Sequence, residues 1–184
     1  AESMEVNPEA QLANYDIVML DQSTENNKEV SRQLGAAIES WVKKGGKFIL
    51  VMDSGIRRKN AADVVGWQAT FGDIVPVSCD RTVQDQPSCT VPLSVTGRIY
   101  REDFKHKIME GIDVAPAEQE AAYLLQTFEV TPTGKELAYI QSVNGPQFFP
   151  AIVEKELIIG KSIYFNYDPG KSAGIFQATL KYLS

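Results

Sequence analysis

A chain of 184 residues, 43% apolar and 23% charged, has the size and make-up of one ordinary globular domain with a sizeable core. Its formal net charge of −6 comes without a basic stripe, which argues against nucleic acid or an acidic membrane surface as a general partner. No apolar run approaches the roughly 18 to 20 residues that cross a bilayer, so no membrane insertion is expected. The opening AESMEVNPEAQ is polar and acidic and has none of the pattern of a signal peptide, as would hold for a mature chain or an excised domain.

In chain order, Pro8 to Ala13 reads as a short helical turn that leads into the stretch around which the rest is organised, Tyr15 to Gly55. There Ile17-Val18-Met19-Leu20 and Lys47-Phe48-Ile49-Leu50-Val51-Met52 are short apolar runs, each stopped by a polar turn. Continuous apolar strands suit a sheet covered on both faces, and two of them joined by a helix predict a parallel pair. Val30, Leu34, Ile38, Trp41 and Val42 recur at helical spacing and form one stripe. Thr24, Asn26 and Asn27 are the candidate N-caps, and Gly45-Gly46 the left-handed stop. Gly35, inside the helix, is expected to accept alanine unless close packing needs the hydrogen in place of a methyl group.

Beyond this unit, Asn60 to Gln68 reads as a short helix capped by Asn60 and ended by Phe71-Gly72, with Arg57-Arg58-Lys59 at its start. A β-rich excursion begins at Ile74. TVPLSVTG is a strand that Pro92 should keep from a central position, and Asp103 to Asp113 an ordered loop turning at Gly111. Tyr123–Val130, Glu136–Ser142, Phe149–Glu154 and Lys161–Tyr167 are further strands, separated by Pro132-Thr133-Gly134 and Asn144-Gly145-Pro146 turns. A closing helix carries Ile175, Phe176, Thr179, Leu180 and Leu183 on one side. Trp41, Trp67, Tyr164, Phe165 and Tyr167 read as core or near-core, and one of the adjacent pair Phe148-Phe149 should face solvent.

Cys79 and Cys89 are the only cysteines and flank the polar stretch SCDRTVQDQPSC. A disulfide would staple the base of that loop, contributing about 2.8 kcal/mol in the chain-entropy model, and belongs to an oxidising compartment. The alternative is a pair of reduced thiols in a cytoplasmic protein. The local sequence supplies no further ligands for a metal.

Taken together, YDIVMLD, AAIESWVKKGGKFILVMDSG, HKIMEGID and AIVEKELIIGKSIYFNYDPG with its terminal LKYL helix resemble the class I glutamine amidotransferase-like superfamily. Within it the nearest likeness is to the trehalose-utilization-like and related uncharacterised domains. The resemblance implies one domain over residues 1–184: a flavodoxin-like three-layer α/β/α sandwich with a mostly parallel sheet and extra β-hairpin excursions. Such domains usually begin with a further strand and helix, for which too few residues precede YDIVMLD. Working members carry a cysteine on the turn after the strand matching KFILVM, where this chain has Met52-Asp53-Ser54-Gly55. They also carry a His-Pro-Glu trio after the last strand, where this chain has Asp168-Pro169-Gly170. Both reacting groups are therefore missing, and the resemblance leads to a non-catalytic binding or interaction domain, one of several in a longer extracellular or cell-surface protein. Its partner would be a small molecule, a carbohydrate or another protein, with no cofactor and no metal implied.

The rival is a hydrolase or sugar-processing enzyme with Ser54 as nucleophile, Asp53 beside it and His106, the sole histidine, as base. Asp21, Asp53 and Asp168 close three strands at the rim where open α/β sheets bind ligands, and either hold a hard cation or cap turns and helices. Asp21, Asp53, Ser54, His106 and Asp168 are thus the candidate ligand-binding residues. Asp53, Ser54 and Asp168 are expected to share one rim, with the carboxylates facing a shallow hollow.

Overall fold

The computed structural model describes residues 4–22, 25–61 and 64–184. Helix α1 (Pro8–Leu12) leads into strand β1 (Ile17–Leu20), helix α2 (Arg32–Lys43) and strand β2 (Lys47–Val51). β1 and β2 are parallel, with Ile17 beside Lys47 and Leu20 beside Leu50. Phe48, Ile49, Leu50 and Val51 are all buried, as a strand covered on both faces requires.

The ends of α2 follow local chemistry, though one of them not where the sequence placed it. Ser31 is the N-cap, its Oγ accepting the Leu34 N–H at 3.0 Å. Asn27 sits instead in a 3-10 turn (Glu25–Lys28), where its amide donates to the Asp21 carbonyl at 2.6 Å. Thr24 and the Asn26 side chain lie outside the described residues. Val30 belongs to a two-residue strand parallel to Arg57–Arg58, so those arginines pair in a strand and do not start a helix. At the other end Gly45 has φ +115°. Its N–H donates to Val42 O at 2.9 Å and that of Gly46 to Trp41 O at 3.0 Å, the pair of bonds that closes a Schellman stop.

Helix α3 (Gln68–Phe71) packs on α2 and corrects two expectations. A Cβ on Gly35 would lie 2.2 Å from the Thr70 carbonyl oxygen. The helix-propensity gain of up to about 1 kcal/mol from alanine is outweighed by forcing the two helices apart, which costs about 1–3 kcal/mol. The expected Asn60–Gln68 helix is absent among the described residues: Asn60 (φ +62°) and Gly66 (φ +124°) are in left-handed turns, and Ala62 and Asp63 lie outside the description.

Strands β3 (Leu93–Arg101), β4 (Tyr123–Thr127), β5 (Lys135–Ser142), β6 (Phe148–Glu156) and β7 (Lys161–Phe165) complete the main sheet. Their spatial order is β1-β2-β7-β6-β5-β3-β4, with the two-residue strand Val114–Ala115 also on β3. β2 and β7 are parallel, and every pairing from β7 to β4 is antiparallel. The sheet is mixed: β1, β2, β4, β5 and β7 run one way and β3 and β6 the other. β3 has neighbours on both sides, so Pro92 does not keep it from the interior; it stands just before the first strand residue, where no ladder N–H is needed.

Side-chain alternation assigns the layers. Phe48 meets Phe71 at 5.4 Å and Tyr164 meets Trp67 at 5.4 Å, on the α2–α3 face. On the opposite face Phe165 meets Phe176 of helix α4 (Ala173–Leu183) at 6.3 Å. Outside the main sheet, Val77–Ser78 pairs with Thr131–Pro132, and a small hairpin spans Thr82–Pro87. The Cys79–Cys89 disulfide closes the base of that hairpin with a Cα–Cα distance of 5.5 Å. Of the aromatic neighbours on β6, Phe149 is buried and Phe148 is 70% exposed.

Candidate functional site

The carboxyl ends of β1, β2 and β7 form one rim, and the antiparallel half of the sheet curls back over it. Asn166, the residue after β7, makes this visible. Its side chain accepts the Phe128 N–H at 3.1 Å and donates to the carbonyls of Phe128 at 2.8 Å and Pro150 at 2.9 Å. Phe128 follows β4, four strand positions from β7, which in a flat sheet would be roughly 19 Å away. The curl encloses a cavity of about 570 Å³, within the range of small-molecule sites. Met19, Val51, Met52 and Leu125 give it apolar walls; Ser94 and Gln126 reach it from the antiparallel half, and Asp21, Asp168 and Lys171 from the rim.

Met52 occupies the turn after β2 with φ +51°, a region that costs a bulky side chain steric strain. Surrounding bonds hold it there: its N–H donates to Phe165 O at 2.8 Å, and its carbonyl accepts the Tyr164 hydroxyl at 3.0 Å. The turn brings Met52 to the cavity and takes the next two residues away from it. Asp53 is 6% exposed, with Oδ2 3.4 Å from Lys28 Nζ and Oδ1 without a partner among the described residues. Burial pushes its carboxyl above the ordinary range, and Lys28 only partly opposes this. Ser54 is fully buried; its Oγ has no partner, and its carbonyl accepts the Trp67 indole N–H at 3.0 Å. Neither lines the cavity, nor does either cap a helix, which corrects both readings of this turn. Asp168 does act as a cap: it is exposed, and Oδ1 accepts the Gly170 N–H at 2.9 Å at the start of the 3-10 turn Pro169–Ser172.

His106 lies elsewhere. Its Nε2 is 3.1 Å from Glu154 Oε1, its Nδ1 accepts the Ile108 N–H at 3.2 Å, and its ring packs on Tyr182 at 4.5 Å. Glu154 is beside Ile163, and Ile163 beside Ile49, so Glu154 and its histidine partner are level with the middle of the parallel strands, away from the carboxyl-terminal rim. From Ile49 to Met52 the strand rise alone is roughly 10 Å, and the set Ser54, Asp53 and His106 is not assembled. Among the described residues no three His, Cys, Asp or Glu side chains gather closely enough to hold a metal ion, so Asp21, Asp53 and Asp168 do not form a cation site.

No family model matches the chain, and no curated protein matches it in sequence. Solved structures do match in fold. A polyextremophilic β-galactosidase from the Antarctic haloarchaeon Halorubrum lacusprofundi superposes with a TM-score of 0.64 at 13% identity, over 94% of this chain and 22% of its own. A cytoplasmic protein from Salmonella typhimurium gives 0.58 at 14% identity, over 95% of this chain and 74% of its own. A putative ThuA-like protein from Bacteroides uniformis gives 0.52 at 10% identity, over 95% and 71%. The chain spans under a quarter of the length of the β-galactosidases it matches. At these identities the likeness establishes the α/β fold, consistent with a flavodoxin-like sandwich.

Met52, Ser94, Gln126 and Lys171 were not among the candidates from sequence. Ser94 and Gln126 carried a signal, since each interrupts a strand at a position that alternation turns away from the core. Met52 carried none; a methionine ending an apolar run reads as core.

Proposed function

We propose that the chain is a non-catalytic, amidotransferase-like binding domain, one domain over residues 1–184 of a longer protein in an oxidising compartment or at a cell surface, and that it holds a small hydroxyl-rich molecule in the rim cavity. Met52 carries this reading. It sits strained on the turn where the amidotransferase-like resemblance puts the nucleophile, and it lines the cavity. A thioether has no proton to give up to a base and forms no stable acyl intermediate, so it does not replace the cysteine thiolate. The imidazole of the His-Pro-Glu trio is replaced by Asp168, which is engaged with the Gly170 N–H, and the one histidine pairs with Glu154 away from this rim.

The lining suits a carbohydrate. Carboxylates of Asp21 and Asp168 accept hydrogen bonds, the Lys171 ammonium and the Gln126 amide donate, and hydroxyls serve both kinds of partner. Met19, Val51 and Met52 offer an apolar surface to a carbon skeleton. The β-galactosidases and the ThuA-like protein among the fold neighbours are in keeping with sugar chemistry. The Cys79–Cys89 bridge supports the oxidising compartment; the Salmonella neighbours described as cytoplasmic share only the fold.

A thermal-shift screen of sugars, nucleotides and divalent ions tests the reading, since a ligand at 100 times its Kd adds about 2.7 kcal/mol of stability. A sugar is expected to stabilise the domain, and Asp168→Asn or Gln126→Ala to remove the effect. Hydrolysis of an ester, amide or glycoside that Ser54→Ala abolishes without unfolding the domain would overturn it.

A further inference from the structure

The antiparallel half of the sheet carries a second cavity, of about 480 Å³, that shares no lining residue with the first. Tyr100 of β3 and Tyr139 of β5 stand side by side in the ladder, their rings 16° from parallel with centroids 5.4 Å apart. Both are half-buried and both line the cavity, together with Phe104, which is 63% exposed. A core role does not account for three aromatic rings left open to one hollow.

The remaining wall is acidic. Glu102, Asp113 and Glu118 line the cavity with a single cation, Arg101. Arg101 is already committed: its guanidinium donates to the carbonyls of Phe104 at 2.7 Å and His106 at 3.3 Å, and lies 3.7 Å from Asp113. Among the described residues Glu102 and Glu118 have no ion-pair partner. Next to them the half-buried Glu136 carboxyl is pushed up by burial and then by the Glu102 charge, as expected where negative potential is left uncancelled. The wall is also held in place. Arg98 donates to four carbonyls, those of Pro116, Ala117, Glu118 and Glu120, at 2.8–3.3 Å, which fixes the loop that presents Glu118.

We infer that this cavity binds an organic cation of the alkylated-ammonium class. Aromatic faces carry a negative quadrupole and attract a cation within about 6 Å of the ring centroid. The protein already places one there, with the Arg101 guanidinium carbon 5.3 Å from the Phe104 centroid. Methyl groups on nitrogen pack against Tyr100, Tyr139 and Phe104, while the charge that they carry is balanced by Glu102 and Glu118. An anion would be repelled by the same carboxylates, and a bare metal ion would make no use of the rings. This site stands apart from the rim cavity and does not depend on its reading.

The test is an amide-resonance titration of the whole chain with choline, set beside 3,3-dimethylbutan-1-ol, which has choline's shape without its charge. Choline is expected to bind saturably, to perturb Tyr100, Val114 and Tyr139, to bind at least tenfold tighter than the alcohol, and to weaken as salt is raised. The exposed double change Glu102→Gln with Glu118→Gln should cut choline affinity several-fold, leave the alcohol unchanged and leave the spectrum otherwise folded. Equal binding of the two probes, no saturable choline binding, perturbation confined to the rim cavity, or unchanged choline affinity in the double variant would each overturn the inference. Saturable methyl glucoside at Tyr100 and Tyr139 in place of choline would assign the rings to carbohydrate and overturn it as well.

Discussion

Asp53 and Glu154 are 6% and 4% exposed and lie at different levels of the same sheet, yet their carboxyls are displaced in opposite directions. Burial pushes both up. At Asp53 the opposing charge is Lys28, whose side chain is 52% exposed, and burial wins. At Glu154 the hydrogen-bond partner is His106, 11% exposed and wedged against Tyr182; with the Tyr182 hydroxyl and the Lys161 charge nearby, it outweighs burial. A partner fixed by packing offsets desolvation, and a half-solvated lysine does not. The carboxylate beside the rim cavity is thus the less compensated of the two. That rim also holds the strained Met52 and the unpartnered Ser54 hydroxyl, while at the other site Glu154 Oε2 is likewise without a partner among the described residues.

The comparison breaks most readily at Glu154. Glu154→Gln removes a charged hydrogen-bond acceptor from a buried partner and should cost about 2 kcal/mol at neutral pH by chemical denaturation. The folded-state carboxyl lies below its unfolded value, so its contribution is fully present above the glutamate range and is lost as pH falls through the folded pKa. The variant should therefore show a shallower loss of stability than wild type below about pH 4. An unchanged acid limb would mean that His106 and Tyr182 do not compensate burial.

Asp53 should respond with the opposite sign. Its folded-state carboxyl lies above the unfolded value, so stability falls as pH rises from the aspartate range through the folded pKa. Asp53→Asn should raise stability at neutral pH by about 1 kcal/mol, since a buried charge that Lys28 only partly offsets is exchanged for a neutral amide. The gain should vanish when both proteins are measured near pH 3. A loss at neutral pH would show that the Lys28 pair is worth more than its exposure implies.

The smallest effect is expected at Ser54. A buried hydroxyl without a partner contributes little, and Ser54→Ala should shift the unfolding free energy by about 0.5 kcal/mol or less, in the stabilising direction. A clear destabilisation would reveal a bond to ordered water and bring the two sites closer in compensation.

Much of the fold was legible because its signals are local. β1, β2 and β7 are runs of adjacent apolar residues, and α2 shows its stripe and its Gly45 stop within a dozen positions. The rim itself followed from strand direction, and with it the presence of Asp21 and Asp168. The N-cap was missed because Thr24, Asn26, Asn27 and Ser31 are chemically equivalent candidates, and the choice fell to the pairing of Val30 with Arg58. Gly35 was misjudged because propensity sees only its own helix, whereas the Thr70 carbonyl that fills its Cβ position arrives from another.

By itself the sequence determined β1, α2 and β2 with their parallel crossover, the later main-sheet strands and the closing helix, and the absence of a thiol on the turn after β2, since these depend on neighbours within a few residues. Only the tertiary structure decided that Met52 turns to the cavity while Asp53 and Ser54 turn into the core, that His106 meets Glu154 far from them, and that Tyr100 and Tyr139 share a hollow. Each of those outcomes rests on a long-range partner: Phe165 for Met52, Trp67 for Ser54, Glu154 for His106. The physical reason is that burial and hydrogen-bond satisfaction are properties of assembled layers, and the curl that brings Phe128 to Asn166 has no signature in either segment alone.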